Sequence, residues 1–479
     1  MYAWLTPLSQ DAVALDAFTS LHRRLAATMS LINLDYEITS ALAQTASAQV
    51  AYRVTFNTVL AGSIQRETIM HLALENDTWR VQWQRTMILP ELTGQNTLMM
   101  QYHAPARGNI YDRNGHALVA QADAVSLGLI VGKTDPTQEA DLFYTLWTLT
   151  GLHPAKIYEK IAAAKQGWYV PLGEVAAAPV AAQFAYLSTF KGLVMEQYRS
   201  RYYIEGGIAP QLIGYVSQIQ PEEVENYQRL GYQQDERVGR TGLEAWAETS
   251  LAGVHGGTLY VITPDGKIVT KLAETQPQPA QSLYTTLDRD LQLGAQRALE
   301  GFVGAVVVLE RDTGRVLAMV SSPTFDPNIF EPTNYNSGFL LDELLNDPNI
   351  PLLNRATQGQ YPLGSVFKLI TAAAGMESGQ YAPESTYFCG QTFNEIPVLS
   401  RYDWTYTWFA PASGLLTLPE GIMRSCIPWF WHIGLALFRQ EMTTTLSEMA
   451  RGFGLGQTIG LGNGISEAAG NIPIPQSEV

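Results

Sequence analysis

The chain has 479 residues, 46% hydrophobic and 10% aromatic, with no low-complexity tract, which supports about three domains with cores of their own and excludes a disordered polymer. Forty-five acidic against 30 basic residues give a formal net charge of -15, and no basic run exists for a phosphate backbone to follow, so nucleic acid is not an expected partner. Two cysteines, Cys389 and Cys426, are too few for a disulfide framework, lie in no CxxC pair that would suggest zinc, and leave the redox compartment open.

Met1 to Pro7 lacks both the basic segment and the long apolar segment of a signal peptide. The longest apolar stretch, Val175 to Phe190, is Ala-rich, broken by Pro179 and too short to span a bilayer. The chain by itself is therefore expected to be soluble, and any membrane anchor would lie outside this sequence. From Leu15 to Ala46 apolar residues recur at helical intervals; Tyr52, Val54 and Phe56, then Trp79, Val81 and Trp83, alternate as in strands. Asn76-Asp77 between such runs reads as a turn. Helices followed by a curved antiparallel sheet predict an α+β module over the first hundred residues.

Next comes Arg107-Gly108-Asn109-Ile110-Tyr111-Asp112-Arg113-Asn114-Gly115, in which Asn114-Gly115 predicts a type I′ hairpin turn, both residues tolerating positive φ. Gly128 to Thr134 nearly spells a phosphate-binding loop but has three residues between its glycines instead of four, so it reads as a strand leaving the hairpin. A second Gly-rich signature, Gly239-Arg240-Thr241-Gly242-Leu243-Glu244, precedes Leu251-Ala252-Gly253 and Gly256-Gly257. Gln276 to Gln281 is polar and proline-rich, the composition of a linker. Beyond it Leu287, Leu291, Ala295 and Ala298 mark a helix face, with Thr286 or Asp288 available as N-cap. Ala305–Leu309 and Val316–Val320 then form an apolar hairpin whose consecutive apolar positions predict burial on both faces.

Tyr361-Pro362-Leu363-Gly364-Ser365-Val366-Phe367-Lys368 contains S-x-x-K, a motif of penicillin-binding proteins and class A β-lactamases. Val366 to Met376 reads as an apolar helix ending near Gly379, which places Lys368 one turn from Ser365 on the same face. A serine hydroxyl must lose its proton to a base as it attacks, and lysine serves only when neutral, a form that burial favours. Val366, Phe367, Leu369 and Ile370 offer that apolar setting.

These features in this order resemble a class B penicillin-binding protein. Arg107, Gly108, Asp112, Arg113 and Gly115 resemble the opening of the family's pedestal domain, and Gly239, Gly242 and Glu244 its end. The resemblance implies a multidomain α+β fold. Residues 1–100 would be a cone-like domain similar to nuclear transport factor, 101–275 a β-rich pedestal of the dimerisation type, and 283–479 an incomplete α/β/α serine transpeptidase domain similar to β-lactamase. It implies that Ser365 is the acylated nucleophile, Lys368 its base, and Ser425 a proton relay from the second motif. Peptidoglycan stem peptides ending in D-Ala-D-Ala would be the substrate, β-lactams covalent inhibitors, and other cell-wall synthesis proteins partners. No cofactor or metal is called for, and the place of work would be the outer face of the bacterial cytoplasmic membrane.

Two features depart from the family pattern. Where an S-x-N motif is expected, the chain reads Ser425-Cys426-Ile427; the resemblance makes Gly364 and Ile427 substrate-binding positions, and Ile427 has no amide to donate or accept. Pro428 then starts a helix carrying Trp429, Phe430, Ile433 and Leu437, and Cys426 reads as a small buried residue. The third motif, K-T-G or K-S-G, is absent, Lys368 being the last lysine. The expectation is a fragment with impaired activity. A catalytically inactive cell-wall binding protein and a β-lactam-hydrolysing relative are the alternatives.

Overall fold

The computed structural model describes residues 1–396 and 400–477. The chain forms two compact units. The first comprises Met1–Glu300, Val307–Met319 and Pro323–Leu352; the second comprises Gly301–Val306, Val320–Ser322 and the chain from Leu353 onward.

In the first unit, the helix Leu15–Thr28 buries Phe18, Leu21 and Leu25. It is followed by a four-stranded antiparallel sheet in sequential order, Leu31–Ala43, Ser47–Thr58, Ser63–Glu75 and Thr78–Val81. The helical pattern predicted through Ala46 therefore stops at Thr28, and a strand replaces its second half. The reason is legible locally: Ile32, Leu34, Tyr36 and Ile38 alternate with Asn33, Asp35 and Glu37, a period of two in residues that favour strands. Asn76 and Asp77 form the predicted turn, at φ 49° and 58°. The core of this module includes Leu21, Leu25 and Phe56 and continues into Leu98, Leu259 and Val261. Those last residues come from a three-stranded sheet of Thr97–His103, Gly256–Ile262 and Ile268–Thr275, so chain segments far apart in sequence share one core.

A further sheet of this unit centres on the strand Ala117–Ile130, which pairs with Ile110–Tyr111, Tyr169–Ala176 and Leu193–Tyr203. Its apolar layer, with Leu127, Leu129, Phe143, Leu146 and Ile157, is buried. Of the loop-like run from Gly128 to Thr134, only the first three residues lie in this strand; the chain leaves it at Ile130 through a turn in which Gly132 has φ +75°. The Asn-Gly turn differs from the type I′ prediction: only Gly115 of the pair has positive φ, at 85°. The buried Asp112 carboxylate sets the turn instead, accepting from the backbone N–H groups of Asn114 and His116 at 2.8 Å each and of Arg289 at 3.2 Å.

The two glycine-rich signatures meet in space. Arg107 donates to Glu244 at 2.9 Å and to Glu248 at 2.7 Å, and Arg201 donates to Glu244 and to the carbonyl of Gly108. Gly239 is required because a Cβ there would sit 2.0 Å from the Glu244 carbonyl oxygen, and Gly242 because its φ is +57°. Arg113 pairs with Glu310 at 3.5 Å near the surface.

Other sequence expectations are revised. The proline-rich stretch is fastened, with Val254 and Gln278 exchanging backbone hydrogen bonds and Gln281 donating to the Ser250 carbonyl. Asp288 caps the helix Arg289–Ala298, but the buried side chain is Gln292 and Leu291 is exposed. Gln292 can be buried because its amide bonds both backbone groups of Met319, at 3.0 and 2.7 Å. Of the two apolar strands, Val316–Ser322 is largely buried, whereas Gly304–Leu309 exposes Val307 and Leu309.

Glu174 is buried among Asn336, which donates to it at 2.6 Å, and Tyr198, which donates at 3.2 Å. Burial, and secondarily the charge of Asp326, pushes its pKa up from 4.5 to about 7. Because the folded form holds the proton more tightly, the stabilising contribution is complete below pH 4.5 and is lost as pH rises through about 7. Glu174→Gln is expected to remove this dependence and to raise stability at pH 8 by about 3 kcal/mol, with little gain at pH 4. Urea unfolding at the two pH values checks it; an equal effect at both removes the protonation account.

The second unit is built around the helices Phe367–Glu377 and Ile427–Arg439, whose contacts bury Ala372, Ala374, Trp429, Phe430, Ile433 and Leu437 together with Cys389 and Cys426. Short antiparallel pairs, Thr386–Cys389 with Gly414–Thr417 and Thr392–Phe393 with Arg401–Tyr402, accompany them.

Candidate active site

Gly364, at φ +58°, opens a single 3₁₀ turn, Gly364–Val366, that runs into the helix Phe367–Glu377. Glycine is the residue that takes this backbone conformation without strain. Ser365 sits on that turn, exposed to solvent, and Lys368 lies on the first turn of the helix, half-buried. The spacing predicts that the two side chains meet, but they do not meet directly. The Lys368 amine donates to the Ser425 hydroxyl at 2.9 Å and to the Ser425 carbonyl at 2.6 Å, and the Ser425 hydroxyl lies 2.8 Å from that of Ser365. Amine, hydroxyl and hydroxyl form one chain in which Ser425 is the middle member.

Ser425 is placed by a helix ending. The helix Leu418–Met423 is capped at Arg424; the Ser425 N–H bonds the Ile422 carbonyl at 3.0 Å and the Cys426 N–H the Gly421 carbonyl at 2.9 Å. This paired closure is a Schellman motif, whose left-handed position usually holds glycine; Ser425 occupies it at φ 52°. A side chain in that conformation carries roughly 1 kcal/mol or more of strain and persists where its surroundings over-determine it.

The next residues begin another helix, Ile427–Arg439. Cys426 is its N-cap, accepting from the Trp429 N–H at 3.4 Å, and is joined to Cys389 by a disulfide with Cα atoms 6.1 Å apart. The fully buried carboxylate of Asp403 accepts from the Ile427 N–H at 2.9 Å and from both the backbone and the hydroxyl of Thr405. A carboxylate at a helix N-terminus also meets the positive end of the helix dipole.

Burial pushes the Lys368 amine below its ordinary pKa, and the charge of Asp403 pulls it partly back. The amine also lies 5.7 Å from the centre of the Phe430 ring. A cavity of about 580 Å³ opens beside Gly364 and Lys368, lined by Ile427, Phe430 and Trp431 among others, with Arg401 on its wall. Ile427 presents an apolar surface to this cavity where an amide was expected.

The sequence reading brought Gly364, Ser365, Lys368, Ser425 and Ile427 forward, and the fold gathers all five. It missed the disulfide and Asp403. Two cysteines 37 positions apart are an even count that allows one bridge, and Asp403-Trp404-Thr405 has the pattern of a side-chain cap; either was the available signal. The pedestal residues Arg107, Gly108, Asp112, Arg113, Gly115, Gly239, Gly242 and Glu244 lie in the first unit, where their contacts are internal.

The domain order defines a modular penicillin-binding protein. Three family models match in sequence: an NTF2-like N-terminal transpeptidase domain over residues 13–96, a penicillin-binding protein dimerisation domain over 102–285, and a penicillin-binding protein transpeptidase domain over 304–477. The chain belongs to the class B penicillin-binding proteins with an NTF2-like N-terminal domain, a serine-type transpeptidase family. It is 31% identical over 388 residues to the peptidoglycan D,D-transpeptidase MrdA of Escherichia coli strain K12, covering 80% of this chain and 60% of that protein. Penicillin-binding protein 3 of Bacillus subtilis strain 168 is 29% identical, over 69% of this chain and 49% of the relative. The chain thus spans at most about three-fifths of these relatives.

Among solved structures, a complex of a penicillin-binding protein with MreC from Helicobacter pylori shares the fold, with a TM-score of 0.55 at 22% identity over 79% of this chain and 69% of that one. A peptidoglycan synthase complex in which polymerization and crosslinking are coordinated matches with a TM-score of 0.53 at 29% identity, over 81% and 67%. No helix among the described residues is long and apolar enough to cross a membrane.

Proposed function

We propose that the protein is a peptidoglycan D,D-transpeptidase working through an acyl-enzyme at Ser365. Ser365 Oγ attacks the carbonyl of the penultimate D-Ala of a stem peptide; its proton passes to Ser425 as the Ser425 proton passes to neutral Lys368. The bond to the terminal D-Ala breaks, and that amine leaves with a proton returned along the same chain. A neighbouring stem-peptide amine then attacks the ester, forming the cross-link and freeing Ser365. The observation that carries this reading is the unbroken contact from Lys368 through Ser425 to an exposed serine hydroxyl. β-Lactams, whose strained amide stands in for the D-Ala-D-Ala bond, acylate the same oxygen.

The buried disulfide suits an oxidising compartment and supports a place on the outer face of the cytoplasmic membrane. Proteins of cell-wall synthesis are the proposed partners, by analogy with the complexes formed by its structural relatives. Ile427 favours one competing reading, a cell-wall binding protein whose site does no chemistry. Incubation with a labelled penicillin followed by peptide mapping decides between them. A covalent adduct on Ser365 is expected; no adduct, or one on another residue, overturns the proposal.

A further inference from the structure

We infer that the Cys389–Cys426 disulfide is a positioning device for the second motif, holding Ser425 in the left-handed backbone conformation from which it bridges Lys368 and Ser365. The inference rests on the reading of Ser365 as nucleophile and Ser425 as relay. Three observations lead to it.

First, Ser425 is a side chain at a position whose geometry suits glycine, at φ 52°, so local backbone preference works against it. The paired hydrogen bonds of the turn oppose that preference, as they do at Phe409 and Glu441, and a covalent tie next to Ser425 adds to them. Second, the residue that follows it is tied on two sides. Cys426 bonds covalently to Cys389 at the end of the strand Thr386–Cys389, which pairs with Gly414–Thr417 immediately before the helix Leu418–Met423 whose closing turn holds Ser425. The Cys426 sulfur also receives the Trp429 N–H, fixing the start of the following helix. The disulfide therefore closes a ring through strand, helix and turn, with Ser425 beside the closure.

Third, both sulfurs are inaccessible. Cys389 and Cys426 are 0% exposed, in the same core as Ala372 and Ala374 of the Ser365 helix. A displacement of Cys426 is transmitted to that helix through packed side chains, since a close-packed interior has no slack to absorb it. Asp403, whose carboxylate lies within 4.8 Å of both sulfurs, adds to the clamp by accepting from the Ile427 N–H. The proposed role is placement: neither cysteine touches substrate, and neither exchanges a proton.

The test compares the wild-type protein with Cys389→Ala, which removes the tether but leaves the Cys426 sulfur to accept from Trp429. Penicillin acylation is followed at saturating reagent, and the rate constant is separated from the fraction of protein labelled. A positioning role predicts a rate constant lowered by about 10- to 100-fold, because a misplacement on the order of 1 Å at a reacting group costs that much, with the labelled fraction nearly unchanged. A purely structural bridge lowers the labelled fraction and leaves the rate constant alone, which overturns the inference, as does an unchanged rate.

If Cys389→Ala does not fold, wild-type protein unfolded in urea with a dithiol and refolded without oxidant, its two thiols counted by mass after alkylation of an unfolded sample, supplies the same comparison. Its rate must fall and then recover on reoxidation. Failure of the oxidised wild type to label at all sinks the reading of Ser365, and this inference with it; normal wild-type labelling with an indifferent tether sinks the inference alone.

Discussion

Replacing Lys368 with methionine is expected to slow penicillin acylation of Ser365 by about 10² to 10⁴, the range spanned by general-base catalysis, while Ser365→Ala abolishes the adduct. Methionine keeps an unbranched stem one atom shorter, and its thioether sulfur is far too weak a base to accept the proton. Ser425→Ala is expected to act nearly as strongly, because Lys368 contacts Ser425 and Ser425 contacts Ser365. The double variant should be little worse than either single one, since links in one relay fail together. Ser425→Ala acylating at the wild-type rate removes the middle link and requires a direct path from Ser365 to Lys368.

The hydrogen-bond direction gives this prediction a pH signature. With Lys368 charged, its ammonium donates to Ser425 and Ser425 donates to Ser365, so every proton points toward the nucleophile. Once Lys368 is neutral the two hydroxyls can rotate, Ser365 donating to Ser425 and Ser425 to Nζ. Burial lowers the lysine pKa, so the reversal, and the rising limb of the acylation rate, falls below pH 10.5. The second lysine contact, to the Ser425 carbonyl, persists in both states and keeps Nζ beside the relay hydroxyl.

What could be read from the sequence divides along a physical line. Motifs whose meaning is local, S-x-x-K on an apolar helix and Pro428 starting a helix, appear in the structure as helices Phe367–Glu377 and Ile427–Arg439. The route from Lys368 to Ser365 was not readable, because it depends on a turn 57 residues downstream whose backbone conformation no periodicity encodes. The disulfide was missed for the same reason: proximity of Cys389 to Cys426 arises from strand pairing and helix packing. The overlong helix from Leu15 had a different cause. Leu31–Ala43 carries apolar residues that fit both periods over a short window, and on its solvent-facing edge Tyr36 is 72% exposed, so burial did not discipline the pattern. The turn at Asn114-Gly115 was misassigned because a buried carboxylate, Asp112, supplies three acceptor contacts that outweigh the intrinsic preference of the dipeptide.

Glu244→Gln is expected to destabilise the first unit by about 3 to 5 kcal/mol, the cost of leaving buried charge without its partner. The Glu244 side chain is fully buried, and it accepts from Arg107 and Arg201, whose side chains are 9% and 2% exposed, and from the Tyr203 hydroxyl. Glutamine preserves the volume but loses the charge and one acceptor oxygen, so two guanidinium groups then compete for Glu248 and backbone carbonyls. Their repulsion adds to desolvation that water cannot relieve. The effect is large for a topological reason as well: Arg107 and Glu244 lie 137 positions apart, and their contact fastens the start of the pedestal to its end. Arg113→Ala provides the contrast, because its pair with Glu310 is about one-third exposed at both ends and should cost less than about 1 kcal/mol. Urea unfolding of both variants measures the difference; a Glu244→Gln loss no greater than that of Arg113→Ala would show that the buried cluster does not hold the pedestal closed.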